Sequence, residues 1–144
     1  MNVQAILRNK GRSVVTIDPD ASVKRAIAVL NQRGIGALVV SIDGEHPVGI
    51  FSERDVVEAM GRYGGDLLQL SVGDVMTCPV VTCAPTDSVA ELMAEMTHRR
   101  MRHFPVVEDE RLCGIVSIGD LVKNRLDEIE YEAHSMRSFI AGAA

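Results

Sequence analysis

The chain has 144 residues, of which 47% are hydrophobic and 24% charged, and its formal net charge at pH 7 is −5. This length fits one ordinary domain, or two halves too small to be stable apart, and the composition excludes a disordered chain. The acidic balance argues against a general nucleic-acid binder, and no apolar run approaches the roughly 20 residues that span a bilayer.

The cysteines and the N-terminus indicate the compartment. Cys78, Cys83 and Cys113 form no C-x-x-C pair and no even-numbered disulfide framework, so we expect reduced thiols. Residues 1–11 contain neither a long apolar core nor a small-residue cleavage site, and therefore do not resemble a signal peptide. Both observations predict a cytoplasmic protein.

Two segments of the chain carry the same pattern: residues 14–57 align with residues 80–122. This self-similarity indicates a tandem duplication, so we expect two copies of one structural unit, the first and the second repeat. The match extends to apolar residues that precede each repeat. The matched positions are Val3 with Val72, Ile6 with Val75, Leu7 with Met76, Val14 with Val80, Pro19 with Pro85, Ser22 with Ser88, Gly49 with Gly114, Ser52 with Ser117 and Asp55 with Asp120.

Each repeat predicts the element order β-α-β-β-α. A short strand runs into a proline turn, and a helix follows with Ser22 or Ser88 as its N-cap and apolar residues at i, i+3, i+4 and i+7. A β-hairpin and a final helix complete the unit. We expect an α+β fold in which the two repeats pack sheet against sheet about a pseudo-twofold axis. The predicted strands are 14–17, 37–42 and 48–52 in the first repeat, and 80–83, 104–109 and 113–117 in the second.

The predicted domain organisation is a first repeat with its lead-in over 1–60, a linker over 61–71, a second repeat over 72–126 and a helical extension over 127–144. Apolar residues at alternating steps of four and three predict a long C-terminal helix, about 30 Å in length. This stripe either folds back onto the chain's own domain or forms a seam between chains. Its members are Val122, Leu126, Ile129, Ala133, Met136 and Ile140.

The order of elements, and the motif G-h-h-S-x-x-D at 49–55 and 114–120 (h is apolar), together resemble the CBS-domain family. Two such repeats form a Bateman module, and the resemblance covers about residues 1–126. It implies that the paired repeats bind adenosine derivatives such as AMP, ADP or ATP, and sometimes NAD or S-adenosylmethionine. It also implies a homodimer that regulates an enzyme or transporter and catalyses nothing itself.

The serine and aspartate of the motif suit a ribose. An ionised carboxylate can accept both hydroxyls of a vicinal diol, and each hydrogen bond to a charged group is worth roughly 1.5–3 kcal/mol. The alternative is a capping box, in which the same two residues only begin a helix. Because the pattern is duplicated and lies near basic residues, we favour ribose binding by Asp120, and to a lesser degree by Asp55.

The densest positive stretch, HRRMRHF at 98–104, distinguishes the two repeats. It can be a basic last turn that stabilises a helix C-terminus. The resemblance implies instead that Arg102 and His103 contact nucleotide phosphates, for which an Arg fork and a protonated His are suited. The first repeat has Gly36 and Ala37 at the matching positions, so we expect one stronger and one weaker site.

The resemblance also implies that each site combines both repeats. Arg102 could serve the weaker site instead of the stronger one, and the base-contact residues, above all the valines, could be ordinary core. The stronger site comprises Ser117, Asp120, Arg102 and His103 around the ribose and phosphates, with Asp18, Val23, Ile35 and Gly36 around the base. The weaker site comprises Ser52 and Asp55, with Ala84, Val89 and Met101 around the base.

No pattern in the sequence indicates catalysis. The four histidines have no metal-ligand spacing, and neither a G-x-S-x-G elbow nor a Walker loop occurs. The leading hypothesis is therefore a stand-alone sensor of AMP, ADP or ATP that acts on a partner protein, without catalytic residues, metal or catalytic cofactor. The alternatives are an interaction module with vestigial pockets, or a binder of NAD or S-adenosylmethionine.

Overall fold

The computed structural model describes residues 1–142, and within them it confirms an α+β fold of two related units. A 3-10 helix, Gly64–Gln69, follows the third α-helix. The helices are α1 (Val3–Lys10), α2 (Val23–Arg33), α3 (Glu53–Tyr63), α4 (Val72–Val75), α5 (Val89–Arg99) and α6 (Ile118–Gly142). The strands are β1 (Thr16–Ile17), β2 (Ala37–Ser41), β3 (Pro47–Ser52), β4 (His103–Glu108) and β5 (Arg111–Ser117).

The two repeats differ in their sheets. The first has three strands in the order β1-β2-β3, with β1 parallel to β2 and β2 antiparallel to β3. The second has only the antiparallel pair β4-β5. The strand predicted at 80–83 is wrong, because only an isolated parallel bridge joins Cys83 to Val106. In the first repeat the Val39 N–H donates to the Val15 carbonyl at 3.2 Å, whereas Pro105 stands at the position of Val39 and has no N–H to donate.

The segments that precede each repeat are exchanged between the two units. The N–H of Val3 in α1 donates to the Asp87 carbonyl of the second repeat at 3.0 Å. The matching N–H of Val72 in α4 donates to the Ala21 carbonyl of the first repeat at 2.8 Å. The lead-in that we grouped with the first repeat thus packs in space into the core of the second, where Val3, Ile6 and Leu7 are buried.

The glycine that opens each G-h-h-S-x-x-D motif makes room for the exchanged segment. A Cβ added at Gly114 would lie 2.7 Å from a methyl carbon of Leu7, and one at Gly49 would lie 2.6 Å from the sulfur of Met76. Both distances are too short for a real contact. The motif's glycine therefore has a packing role in both repeats.

A third apolar cluster joins the two sheets. Ala37, Val39 and Ile50 are buried there, and side chains of the second repeat cover them, as the predicted sheet-against-sheet packing requires. Matched residues of the two repeats meet in this cluster, as expected about a pseudo-twofold axis. The half-buried members are Val14, Val80, Leu112 and Ile115.

The segment predicted as a linker is packed into the first repeat. Helix α3 extends to Tyr63, the 3-10 helix continues from Gly64 to Gln69, and Leu67 within it is fully buried. Burial of Leu67, with Leu70 packed against the same cluster, anchors this segment in the core of the first repeat beside the buried residues of α2 and β2.

The long C-terminal helix is confirmed as α6, which begins directly after Ser117. The apolar stripe does not fold back, since Leu126 is 55% exposed, Ile129 45% and Met136 62%. Of the predicted extension over 127–144, the last two residues lie outside the described range. No helix within residues 1–142 combines the length and the apolar character needed to cross a membrane.

Candidate functional site

The carboxylate of Asp120 lies at the start of α6, beside the end of β5. The Ser117 N–H donates to Asp120 Oδ2 at 2.9 Å, and the Asp120 N–H donates to Ser117 Oγ at 3.1 Å. These reciprocal bonds form a capping box, so the helix-capping interpretation of the motif describes a real contact. Capping alone does not engage the second carboxylate oxygen.

Lys10, at the end of α1, also contacts this site. We call the strand end and helix start that carry each motif a corner, the first at Ser52 and the second at Ser117. Lys10 Nζ donates to Asp120 Oδ2 at 2.6 Å and to the Ile115 carbonyl at 2.9 Å. Burial raises the pKa of Asp120, but the Lys10 ammonium and the Ser117 donors outweigh burial and lower the pKa below its ordinary value. Sequence reasoning missed Lys10, because only the exchange of α1 between the repeats brings it to the second motif.

Asp55, the matching residue of the first repeat, is 5% exposed and has both oxygens engaged. Oδ2 accepts the Ser52 N–H at 2.8 Å and the Ser52 hydroxyl at 3.1 Å, and Oδ1 accepts the Thr77 hydroxyl at 2.7 Å. Burial raises the pKa of Asp55 against these hydrogen bonds. For Asp120, by contrast, every hydrogen bond to the carboxylate from residues 1–142 ends on Oδ2, so Oδ1 is available to a ligand.

Thr77 in the first repeat and Lys10 in the second donate hydrogen bonds to matching acceptors. The Thr77 N–H donates to the Ile50 carbonyl at 2.8 Å, while Lys10 Nζ takes the matching Ile115 carbonyl. Each residue also donates to the aspartate of its motif. A neutral hydroxyl thus completes the first corner and an ammonium completes the second, which makes the two corners electrically unequal.

His103 joins the two repeats at the second corner. It lies opposite Ser117 in the β4-β5 register, and a Cβ added at Gly36 would lie 3.7 Å from its Cε1 atom. Burial lowers the pKa of His103, and the Lys10 charge lowers it further. The direction of this shift favours the neutral ring at pH 7, and a contact between His103 and a ligand phosphate stays a prediction.

Arg102 belongs to a cleft that Asp120 itself does not line. It borders this cleft, of about 270 Å³, together with Arg54, Arg100 and Met101. The Arg54 guanidinium donates to the Arg100 carbonyl at 3.0 Å across the two repeats. No ion pair formed within residues 1–142 includes Arg100 or Arg102. Met101 was predicted for the weaker site, whereas Ile118 lies next to Ser117 of the stronger one, so the site that Arg102 serves stays a prediction. Ile118, Thr97 and Met96 complete the lining.

Several predicted base-contact residues have structural roles. Val23 is 0% exposed and Val89 3%, so their side chains offer no surface to a ligand and are core residues. The Asp18 side chain accepts the Asp20 N–H at 2.8 Å and closes its own turn. Ile35, Gly36 and Ala84 are half-buried, and their contact with a base stays a prediction.

A second cleft, of about 580 Å³, is bordered by Met101 and by Thr77, the residue that donates to Asp55.

Comparison with known proteins decides the family. The CBS domain model matches residues 10–62 and again residues 72–127. The chain belongs to the CBS-domain family. Its two CBS repeats are the two units of the fold, and their pairing gives the Bateman module that the motifs resemble.

Relatives of this CBS pair are widespread. The mitochondrial CBS domain-containing protein CBSX3 of Arabidopsis thaliana is 32% identical over 97% of this chain and 72% of its own length. A crystal structure is known for the CBS-domain containing protein ATU1752 from Agrobacterium tumefaciens, whose sequence is 47% identical to this chain. The two structures align with a TM-score of 0.83 over 87% of this chain and 99% of that one. The chain spans only 41% and 58% of two further curated relatives, so CBS pairs of this kind also occur within longer proteins.

A more distant solved structure shares the fold. The CBS domain pair of protein MJ0100, in complex with 5'-methylthioadenosine and S-adenosyl-L-methionine, is 23% identical, with a TM-score of 0.77 over 89% of this chain and 98% of that one. At this identity the likeness concerns the fold alone.

Proposed function

We propose that this CBS pair is a non-catalytic sensor of adenosine nucleotides of the AMP, ADP or ATP type, and that it acts on a partner protein through a ligand-dependent change of shape. The observation that carries the proposal is the available Oδ1 of Asp120, in a carboxylate held ionised beside Lys10. Membership of a family whose paired repeats bind adenosine derivatives supports it.

The ribose would bind at Asp120. Oδ1 accepts one hydroxyl of the diol, and the second hydroxyl competes with Lys10 for Oδ2. A displaced Lys10 ammonium then lies within reach of an anionic group on the ligand, and this favours nucleotides over uncharged adenosine. Because Lys10 ends α1, the competition also couples ligand binding to the exchanged helix.

The phosphates have a second candidate position in the cleft that Arg54, Arg100 and Arg102 line. Arginine presents a planar fork that matches phosphate oxygens, and three such side chains gather here on the surface of an acidic protein. The cleft borders the start of α6 through Ile118, the residue next to Ser117. Charge reversal at Arg102 is therefore expected to weaken the response to ATP more than the response to adenosine.

A melting-temperature panel tests the proposal. AMP, ADP, ATP, NAD and S-adenosylmethionine are added to the wild type, to Asp120→Asn and to the matched control Asp55→Asn, and each shift is measured from that variant's own melting temperature. A ligand at one hundred times its Kd stabilises by about 2.7 kcal/mol. We expect Asp120→Asn to lose this response and Asp55→Asn to keep it, since Asp55 is already bonded by Ser52 and Thr77.

The same panel separates the alternatives. A response to NAD or S-adenosylmethionine alone would change the ligand and leave the sensor role. No response to any of the five ligands would favour an interaction module with vestigial pockets. In that case Lys10 and Thr77 would occupy the binding groups of Asp120 and Asp55 permanently. An Asp120→Asn protein that responds like the wild type would contradict the proposed ribose site.

We also propose that the protein acts as a homodimer. The apolar stripe of α6 supports this, because Leu126 is 55% exposed, Met136 62% and Ile140 64%. Leaving such a stripe in contact with water costs free energy. The mass of the purified protein, against 15.6 kDa for one chain, tests the assembly directly.

A further inference from the structure

Within residues 1–142, no other element covers the outer part of the apolar stripe on α6. Near its start the helix contacts α1, α5 and β5. Its last side-chain tie to the body is the pair between the Met1 amino group and Glu128, at 3.8 Å. Within the described range, no side-chain hydrogen bond or ion pair joins residues 129–142 to another element. We call the stripe the α6 seam; it comprises Val122, Leu126, Ile129, Ala133, Met136 and Ile140.

The spacing of the α6 seam assigns heptad positions. With Leu126, Ala133 and Ile140 at position a, the intervening apolar residues fall at position d. The residues that flank the seam then become positions e and g, which lie across from a partner helix in a coiled coil. Lys123, Glu130 and Arg137 occupy e, and Arg125, Glu132 and Phe139 occupy g.

A parallel partner with the same sequence places opposite charges together. In a parallel coil, a g residue faces the e residue five positions later in the partner. Arg125 of one copy then faces Glu130 of the other, and Glu132 faces Arg137. The two-fold symmetry doubles each pair, so a parallel dimer gains four attractive contacts.

An antiparallel partner places like charges together. With full overlap, Leu126 packs against the partner copy's Met136, and e residues face e residues while g residues face g residues. Glu130 then meets Glu130 of the other copy, Glu132 meets Glu132, and Lys123 meets Arg137. Every charged pair repels, so the seam selects against this orientation.

We propose that residues 122–140 of two copies form a parallel two-stranded coiled coil. A second copy is the fitting occupant because each helix carries both members of each charge pair, and self-complementarity of this kind suits a two-fold contact. The inference rests on the homodimer proposed above and specifies its contact, but it does not depend on nucleotide binding. The two CBS pairs would then lie side by side at the N-terminal end of the coil.

The first test measures the mass of the full chain in solution. The wild type should be a dimer, and Ile129→Lys combined with Met136→Lys should be a monomer. Tyr131→Lys is the matched control, since Tyr131 is 73% exposed and lies outside the seam, and it should remain a dimer. A wild-type monomer would overturn both the coil and the homodimer, whereas a dimer that survives the double substitution would overturn the coil alone.

The second test exchanges the charges. Arg125→Glu with Arg137→Glu, and separately Glu130→Arg with Glu132→Arg, should each weaken the dimer at least tenfold. An equimolar mixture of the two variants should recover the dimer, because all cross-copy pairs become attractive again. Two charge variants that dimerise as strongly alone as in the mixture would contradict the assigned pairs.

The third test determines the orientation. In the parallel coil, Ile140 faces its own counterpart, so Ile140→Cys should give a covalent dimer under mild oxidation. Tyr131→Cys and the wild type, which has free Cys78, Cys83 and Cys113, are the controls and should not. Linking only between Ile140→Cys and Val122→Cys chains would indicate an antiparallel coil and overturn the proposal.

Discussion

Lys10 and Asp120 are 110 positions apart in the chain, yet the Lys10 ammonium lies 2.6 Å from the Asp120 carboxylate. The contact exists because α1, which precedes the first repeat, packs into the second. In the other repeat the same role falls to Thr77 on Asp55, at 2.7 Å. A duplicated motif has therefore acquired one ionic corner and one neutral corner.

Replacing Lys10 by Met should lower the free energy of unfolding at pH 7 by less than about 1 kcal/mol, as is typical of a partly exposed ion pair. The pKa of Asp120 in the fold lies below its ordinary 3.8, so the ionised carboxylate stabilises the fold above pH 3.8 and this contribution is lost as the pH falls through the folded value. Urea unfolding at pH 7 and in acid should therefore show the wild type and Lys10→Met converging in acid.

Lys24→Met is the matched control for that comparison, because Lys24 is an exposed lysine of α2. It should leave the unfolding free energy unchanged at both pH values. A loss in Lys10→Met of equal size at neutral and acid pH would mean that Lys10 stabilises through packing rather than through its charge.

Asp55→Ala should destabilise the protein more than Asp120→Ala. The change at Asp55 leaves the Thr77 hydroxyl and the Ser52 N–H without their acceptor in a buried site, and unsatisfied buried donors cost roughly 1–3 kcal/mol. The Asp120 side chain is 25% exposed, so water can replace it. Chemical denaturation of both variants checks the order, and equal losses would show that Thr77 finds another partner.

His103 and His46 should titrate on opposite sides of the ordinary histidine pKa of 6.5. Burial and the Lys10 charge lower the pKa of His103, whereas the hydrogen bond to Asp43 raises the pKa of exposed His46. His103 thus contributes stability that is present above pH 6.5 and is lost as the pH falls through its folded pKa. NMR titration of the ring protons measures both values, and the reverse order would refute the assigned environments.

The turn between β4 and β5 places two residues other than glycine in the left-handed region, Asp109 with φ 52° and Glu110 with φ 65°. Glu110→Gly should relieve this conformation and stabilise the protein by roughly 1 kcal/mol. Gly44→Ala in the matching turn of the first repeat should cost a similar amount. Gly44 has φ 79° and no atom within 4 Å of an added Cβ, so only the backbone is strained. Thermal unfolding of both variants is the measurement.

Local patterns predicted the elements well. Ser22 and Ser88 cap α2 and α5 by accepting the N–H groups of Arg25 and Glu91, at 3.0 and 3.3 Å. These contacts span three residues, so the residues that form them are readable from the sequence. The strand at 80–83 failed because its formation depends on a distant facing residue, Pro105, which lacks the necessary N–H. The cytoplasmic location stays a prediction.

By itself the sequence determined the duplication, the β-α-β-β-α order of the first repeat and the motif at which each final helix begins, because hydrophobic period, turn residues and caps act over a few neighbouring residues. Only the tertiary structure decided which side chains surround each motif. It brought Lys10 to Asp120 and Thr77 to Asp55, and it placed Arg102 in a cleft with Arg54. These partners come from segments far apart in the chain, and their approach depends on how the whole core packs.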